Sequence, residues 1–319
     1  MSDVMNVFDR ALVRRHHDRA GETIADYSFL FDAVAQRLAD RLLDVTRRFP
    51  RCLDLGSRGG AMARALAERR DIELMVQCDL SPAMAKVAGT PSHRVAAVSA
   101  DEEFLPFAPG SFELVVSNLS LHWTNDLPGA LIQIRQILKP DGLFLGAMLG
   151  GETLHELRTA LMQAEIELEG GVSPRLSPLA DLRDAGALLQ RAGFALPVAD
   201  VDRITVSYPN ALKLMQDLRG MGETNAIHTR RQTMTRRSTL FRAAEIYQET
   251  FGDSDGRIPA TFDILTLTGW VPDASQQQPL RPGSARSRLA DALGVDEIGT
   301  DESAGTAAHT RSKDPKDQS

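Results

Sequence analysis

RCLDLGSRGGA, residues 51–61, changes character twice within a few positions. Cys52-Leu53-Asp54-Leu55 is a short apolar run of the kind that forms a buried strand. Gly56-Ser57-Arg58-Gly59-Gly60 breaks it, and Ala61-Met62-Ala63-Arg64-Ala65-Leu66 opens a helix. A strand, a glycine turn and a helix start in that order make a nucleotide site. Glycine lets the backbone pass close under a ligand, and the first turn of a helix offers unpaired N–H groups. Arg58 stands where a further glycine is expected. If that position needs a positive φ, Arg58 carries about 1 kcal/mol of strain or more, unless Gly59 takes the conformation instead.

Outward from this turn, strands are expected at 51–56, 72–79, 94–99, 112–118 and 143–149. Helices are expected between them at 60–69, from Ser81-Pro82 onward, and at 127–138. Ser81 is an N-cap and Pro82 suits a first helical position. Lys139-Pro140-Asp141-Gly142 reads as a turn before the fifth strand. Strands this apolar, alternating with helices, imply an α/β fold with a parallel sheet covered on both faces. Upstream, 1–20 reads as a helix with a basic side (Arg10, Arg14, Arg15, His16, His17, Arg19), and 27–49 as one amphipathic helix stopped by Phe49-Pro50. Downstream, helices are expected at 152–169, 178–192, 209–218 and 238–251, and strands at 198–208 and 260–271. Ser, Gln, Pro, Gly, Arg and Asp then dominate, which predicts a disordered tail with a faint helix at 285–293. The expected divisions are capping helices over 1–50, a nucleotide-binding domain over 51–149, the second half of the sheet with a helical lid over 150–273, and the tail over 274–319.

Composition sets outer limits. The 319 residues are 43% hydrophobic and 25% charged with a net charge of −7, which describes an ordinary globular protein and argues against a general nucleic-acid binder. No run approaches the length of a membrane span and the first residues show no signal-peptide core, so a cytoplasmic protein is expected. The two cysteines, Cys52 and Cys78, lie in apolar strand-like runs, which suits buried thiols in a reducing compartment and gives no zinc spacing.

Ligands of open parallel sheets bind outside the carboxyl ends of the strands. The residues collected there are Asp54, Gly56 and Gly60 after the first strand, and Asp79-Leu80 after the second. Asp101 and Glu102 follow the third, and Asn118, Leu119, His122 and Trp123 the fourth. Asp79 lies 23 residues beyond Gly56, where an acid can accept from both ribose hydroxyls. Each has a plain alternative: a turn, a helix cap, a solvated acidic face, ordinary packing. Their order at successive strand ends favours a nucleotide pocket. GSRGGA lacks the Lys and Thr of a phosphate-binding loop, and its glycine spacing does not match a dinucleotide site. An adenosine without pyrophosphate fits better, namely S-adenosylmethionine.

LDLGSRGG, CDLSPAM, ADEEFLPFAPGSFELVVSNLSLHW and ILKPDGLFLGAML together resemble the class I S-adenosylmethionine-dependent methyltransferases of the type 11 group. MNVFDR, GGETLHELR, SPRLSPLADLRDAG, LLQRAGF, YPNALKLMQDLRGMGETN and RIPATFDI extend the resemblance over about residues 5–285, to the mitochondrial and proteobacterial complex I assembly factor family. That resemblance implies a Rossmann-like, doubly wound seven-stranded sheet with N-terminal helices and a lid. It also implies an enzyme that modifies an arginine on a subunit of NADH–ubiquinone oxidoreductase, by hydroxylation on the family's pattern or by methylation on the fold's. By position it carries the loop to Asp54, Gly56 and Gly60, the ribose acid to Asp79, the adenine contact to Asp101-Glu102, and the sulfonium-facing strand end to Ser117-Asn118-Leu119. The family loop is usually G-x-G-x-G, and here Arg58 replaces the middle glycine.

Glu152, Glu156, Glu165 and Glu223 are candidates to pair with a substrate arginine, each with a solvated helix face as its alternative. Arg230, Arg231, Arg236 and Arg237 form a basic cluster that would dock a partner or stay solvated. His16-x-Asp18 is the only nominal match to part of an iron facial triad, and i and i+2 diverge on a helix, so no metal site is expected. Two further readings stand beside the first: a malonyl-carrier carboxyl methyltransferase of biotin synthesis, and a non-catalytic assembly chaperone with a decayed pocket.

Overall fold

In the computed structural model, residues 6–88, 94–277 and Gly294 are described. The described residues from 6 to 276 belong to one compact unit. Beyond Gln277, the expected tail and its helix at 285–293 fall outside the described residues, as do residues 1–5.

The strands are β1 (Arg51–Leu55), β2 (Leu74–Asp79), β3 (Val95–Ser99), β4 (Phe112–Asn118), β5 (Leu138–Gly150), β6 (Ala195–Tyr208) and β7 (Ile258–Trp270). They form one sheet in the order β3-β2-β1-β4-β5-β7-β6. Pairings from β3 through β5 are parallel, while β7 enters antiparallel between β5 and β6. The order reverses between β1 and β4, so the ligand crevice of such sheets opens at their carboxyl ends.

Strand periodicity sends alternate side chains to opposite faces. Cys52, Leu114, Val116 and Leu145 join one core, beneath α2 (Phe29–Arg41), α6 (His155–Glu169), α8 (Ala211–Gly220) and α9 (Arg237–Phe251). Leu53, Leu55, Val115 and Phe144 join the other, beneath α5 (Leu127–Ile137) and α7 (Leu182–Arg191). A third, smaller cluster of Phe8, Val13, Trp123, Ala226 and Ile227 ties the N-terminal arm and α1 (Arg10–Ala20) to the strand ends.

Three expectations are corrected. The helix over 27–49 is a short 3-10 turn, Ile24–Tyr27, followed by α2, which ends at Arg41. Arg69 stops it early, donating to the carbonyls of Leu42 at 2.7 Å and Arg47 at 3.3 Å while its guanidinium lies over Phe49. Lys139-Pro140-Asp141-Gly142 is an irregular start to β5 rather than a turn before it. Asp141 takes φ 57° there, and its amide donates to Val271 O beyond the end of β7. α1 is not simply basic and solvated, because Val13, His16, His17 and Ala20 form its buried face.

Candidate functional site

At Gly56 the chain turns with φ 74°. Its amide and that of Ser57 both donate to Cys78 O, at 2.8 and 3.0 Å, which locks the loop to the end of β2. A Cβ at Gly56 would lie 2.1 Å from Ser120 Cβ, so this glycine is demanded by its φ and by a neighbouring side chain as well. Arg58 has φ 37° and Gly59 φ 79°, so both positions are left-handed and the arginine does carry the conformation a glycine prefers. Gly60, φ 75°, caps α3 (Ala61–Ala65), which is a single short turn.

Asp54 is fully buried, with Gln77 Nε2 donating to it at 3.4 Å, and burial pushes its carboxyl up to about 7. Asp79, at the end of β2, accepts from the Arg58 amide at 3.1 Å and the Ser81 amide at 2.9 Å. Burial would raise its pKa, yet His17, the Ser81 amide and Arg58 together hold it below the usual carboxylate range. His17 Nδ1 stands 3.9 Å from Asp79 Oδ1, and burial together with nearby Arg58 lowers the imidazole's own pKa. Leu80 packs against the Phe8–Trp123 cluster. Asp101 and Glu102, after β3, are both held by Arg10 Nη2, and Glu102 also accepts from Ser120 Oγ at 2.7 Å. Asn118 Nδ2 donates to Phe31 O at 2.9 Å, and Leu119 turns away with φ 52°.

Beside this lies a second constellation. Glu223 accepts from Trp123 Nε1 at 3.0 Å, contacts His122 Nε2 at 3.1 Å, and ion-pairs with Arg58 Nη1. Burial would raise the Glu223 carboxyl, but Arg58 and His122 outweigh it and hold it far below its ordinary value. The Arg58 guanidinium is 1% exposed and sits 5.6 Å from the Phe31 ring centroid. Glu223, His122 and Trp123 line a cavity of about 670 Å³ whose apolar walls include Leu149, Leu157, Leu161 and Leu218.

The other acidic candidates are not brought here. Glu152 is exposed, and its hydrogen bonds among the described residues are from its backbone alone: the N–H donates to Asp263 at 3.0 Å and the carbonyl accepts from the His155 amide at 3.1 Å. Glu156 is buried in the first turn of α6, where Thr261 donates both its amide and its hydroxyl to the carboxylate. Glu165 accepts from Ser173 and Arg175. In the basic cluster, Arg230 is paired with Asp9 and Arg231 with Glu169. Arg10, His17, Ser120 and Phe31 are the contributors that sequence reasoning missed. The histidine was within reach, since Val13, His16, His17 and Ala20 follow i, i+3, i+4, i+7 spacing.

Buried polar atoms without a partner gather at these strand ends: Asp54 Oδ1, Ser57 Oγ, Arg58 Nε and Nη2, Asn118 Oδ1, His122 Nδ1 and both His17 ring nitrogens. Folded proteins leave few such atoms, so their concentration marks a place built for a polar ligand. Asp79 retains lone pairs for hydroxyl donors beside its two amides. The residues present therefore fit an adenosine bearing an ammonium and a carboxylate. Among the described residues no three His, Cys, Asp or Glu side chains converge as metal ligands, and no helix is long and apolar enough to cross a membrane.

Residues 53–146 match a family described as methyltransferase domain. Arginine-hydroxylase NDUFAF5, mitochondrial, of Danio rerio is 45% identical over 300 residues, covering 93% of each chain. The malonyl-acyl-carrier-protein O-methyltransferase of Halorhodospira halophila is 35% identical over 87% of this chain and 93% of its own. In structure, phosphoethanolamine N-methyltransferase 2 of Haemonchus contortus, in complex with S-adenosyl-L-methionine, aligns over 82% of this chain and 60% of its own with TM-score 0.52 and 18% identity. The chain carries the class I methyltransferase fold and belongs to the arginine-hydroxylase NDUFAF5 family.

Proposed function

We propose that this protein binds S-adenosyl-L-methionine at the ends of β1–β4 and modifies an arginine side chain on a subunit of NADH–ubiquinone oxidoreductase during assembly of that complex. The observation that carries this reading is the identity with an arginine-hydroxylase along nearly the whole chain, which includes the segments that build the cavity around Glu223. S-adenosyl-L-methionine supplies, when bound, an electrophilic methyl on a sulfonium. The chain's own work is to bind and orient. Asp79 accepts from the ribose hydroxyls, Asp101 and Glu102 face the adenine, and the Gly56–Gly60 turn with Asp54 holds the amino-acid end. Asn118 and Leu119 form the strand end beside the sulfonium. Glu223, held by His122 and Trp123, orients a cationic side chain. The hydroxylase reading follows the family, and the methylation reading follows the fold. Cys52 and Cys78 are buried free thiols, which suits a reducing compartment.

Mass spectrometry of the complex I subunits from a deletion strain tests this. Loss of one oxygen from an arginine supports hydroxylation and loss of one methyl supports methylation, while unchanged subunits refute both.

A second reading is favoured by one feature of the cavity. Arg158, Arg175, Arg219, Arg230 and Arg231 line it, and Arg158 and Arg219 have no ion pair among the described residues. Such a lining suits an anionic substrate, as in carboxyl methylation of a malonyl thioester. Transfer of labelled methyl to malonyl-acyl-carrier protein supports it, and no transfer removes it.

A further inference from the structure

The Arg58–Glu223 pair is more enclosed and less satisfied than two other arginine–carboxylate pairs among the described residues. Arg203 meets Asp263 with two nitrogens, Nε at 2.7 Å and Nη2 at 3.0 Å. Arg175 engages Glu165 through Nε and Nη2, and its Nη1 donates to Thr235. Arg58 gives Glu223 only Nη1 and leaves Nε and Nη2 buried without a partner, from a backbone that a non-glycine residue rarely adopts. A guanidinium so poorly satisfied and so fully enclosed has little net worth as a pair, although removing one partner alone is costly. Glu223, by contrast, is well placed. His122 and Trp123 both fix Oε2, which leaves Oε1 as the oxygen turned to a cation. The carboxylate is also, among the described residues, the one Asp or Glu lining the 670 Å³ cavity, where the leucine walls suit a methylene stem and the five arginines leave Glu223 as the point at which a cationic head is held.

We propose that Glu223, with His122 and Trp123, is the receptor for the guanidinium of an arginine-bearing substrate, and that Arg58 occupies this receptor from within. The chain's own guanidinium stands where the substrate's will stand, and the substrate enters by exchange. This rests on the arginine-modifying reading above and adds the receptor and its internal competitor. The exchange is between like groups, so it needs no net change of charge around Glu223. Receptor affinity is then reduced by the fraction of molecules in which Arg58 is home.

Calorimetry with Nα-acetyl-arginine amide on the full chain tests this. Arg58→Gly also relieves the left-handed backbone, so the variant is expected to fold. It should bind the probe roughly tenfold more tightly than the wild type, as expected when the competent fraction rises from about a tenth to one. Adding Glu223→Gln to Arg58→Gly should abolish that gain without leaving an arginine unpaired, with folding checked by circular dichroism. Nα-acetyl-lysine amide should bind Arg58→Gly several-fold more weakly than the arginine probe. Unchanged or weaker arginine binding in Arg58→Gly, or a gain that survives Glu223→Gln, overturns the proposal. The deletion-strain spectra report separately on the function. Arginine modification without the calorimetric gain sinks the receptor alone, whereas unmodified subunits sink the function.

Discussion

Glu156 and Asp54 are both removed from water, and the chain treats them in opposite ways. Glu156, in the half built by β5–β7 and α6–α9, takes an amide and a hydroxyl from Thr261 and has no oxygen without a partner. Glu165 and Asp263 in the same half are equally well served, by Ser173 with Arg175 and by Arg203 with the Glu152 amide. Asp54, in the half built by β1–β4, has one long bond from Gln77 and one oxygen with none, and Ser57, Arg58 and Asn118 around it share that condition. Satisfied buried polarity holds secondary structure together. Unsatisfied buried polarity, gathered at the ends of parallel strands, is what a ligand site looks like from the protein's side. The Arg58–Glu223 pair straddles the two regimes, because the carboxylate is saturated and the guanidinium is not.

Several substitutions break or sharpen this contrast. The largest effect is expected from Glu223→Ala, which strands a buried guanidinium and should cost about 3–5 kcal/mol in urea unfolding. Arg58→Met with Glu223→Gln should recover most of that loss, and a double variant as unstable as the single would mean the pair is not coupled. The sign of the pH effect follows from the depressed folded-state pKa of Glu223. Its contribution is complete above the unfolded carboxylate value and is lost only as pH falls through the lower folded value. Wild type should therefore outlast the double variant most clearly near neutral pH and lose that margin in strong acid.

Next in size is Gly56→Ala. Its Cβ meets Ser120 at 2.1 Å on a φ of 74°, and a loss on the order of 3 kcal/mol is expected, read from the urea midpoint. Retention of the wild-type midpoint would show that the loop has room to move. Asp54 gives a third, pH-linked effect. Its folded pKa of about 7 lies above its ordinary value of 3.8, so the fold favours the neutral acid. Stability on this account is greatest in mild acid and falls, by on the order of a few kcal/mol, as pH rises toward 7. Asp54→Asn should flatten that slope, and a variant with the wild-type slope would place the titration elsewhere. The smallest effect is reserved for Glu152→Ala, an exposed side chain whose loss should move stability by less than about 0.5 kcal/mol. A larger change would mean its surface is engaged.

The contrast also explains what could be seen in the chain beforehand. The strand–glycine–helix signal of residues 51–61, the strand at 112–118 and the acid at Asp79 rest on local periodicity and turn chemistry, and each stands where those rules put it. Glu156 and Glu223 are indistinguishable by such rules, as both are acids in helical or loop stretches after residue 150. Only the third dimension sends one to Thr261 and the other to His122 and Trp123. Arg58 shows the same limit, since its strain was readable from the missing glycine but its destination lies 165 residues away. His17 was misjudged for a different reason. A histidine in a run of arginines looks solvated until its spacing with Val13 and Ala20 puts it on the inner face.

Titration of the purified full chain with S-adenosyl-L-methionine in a calorimeter tests most directly whether the unsatisfied strand ends are a cofactor site. The expected result is one site per chain in the wild type, weakened about tenfold or more in Asp79→Ala and unaltered in Glu152→Ala. A wild-type chain that takes up no S-adenosyl-L-methionine, or an Asp79→Ala variant that binds it equally well, would contradict the account.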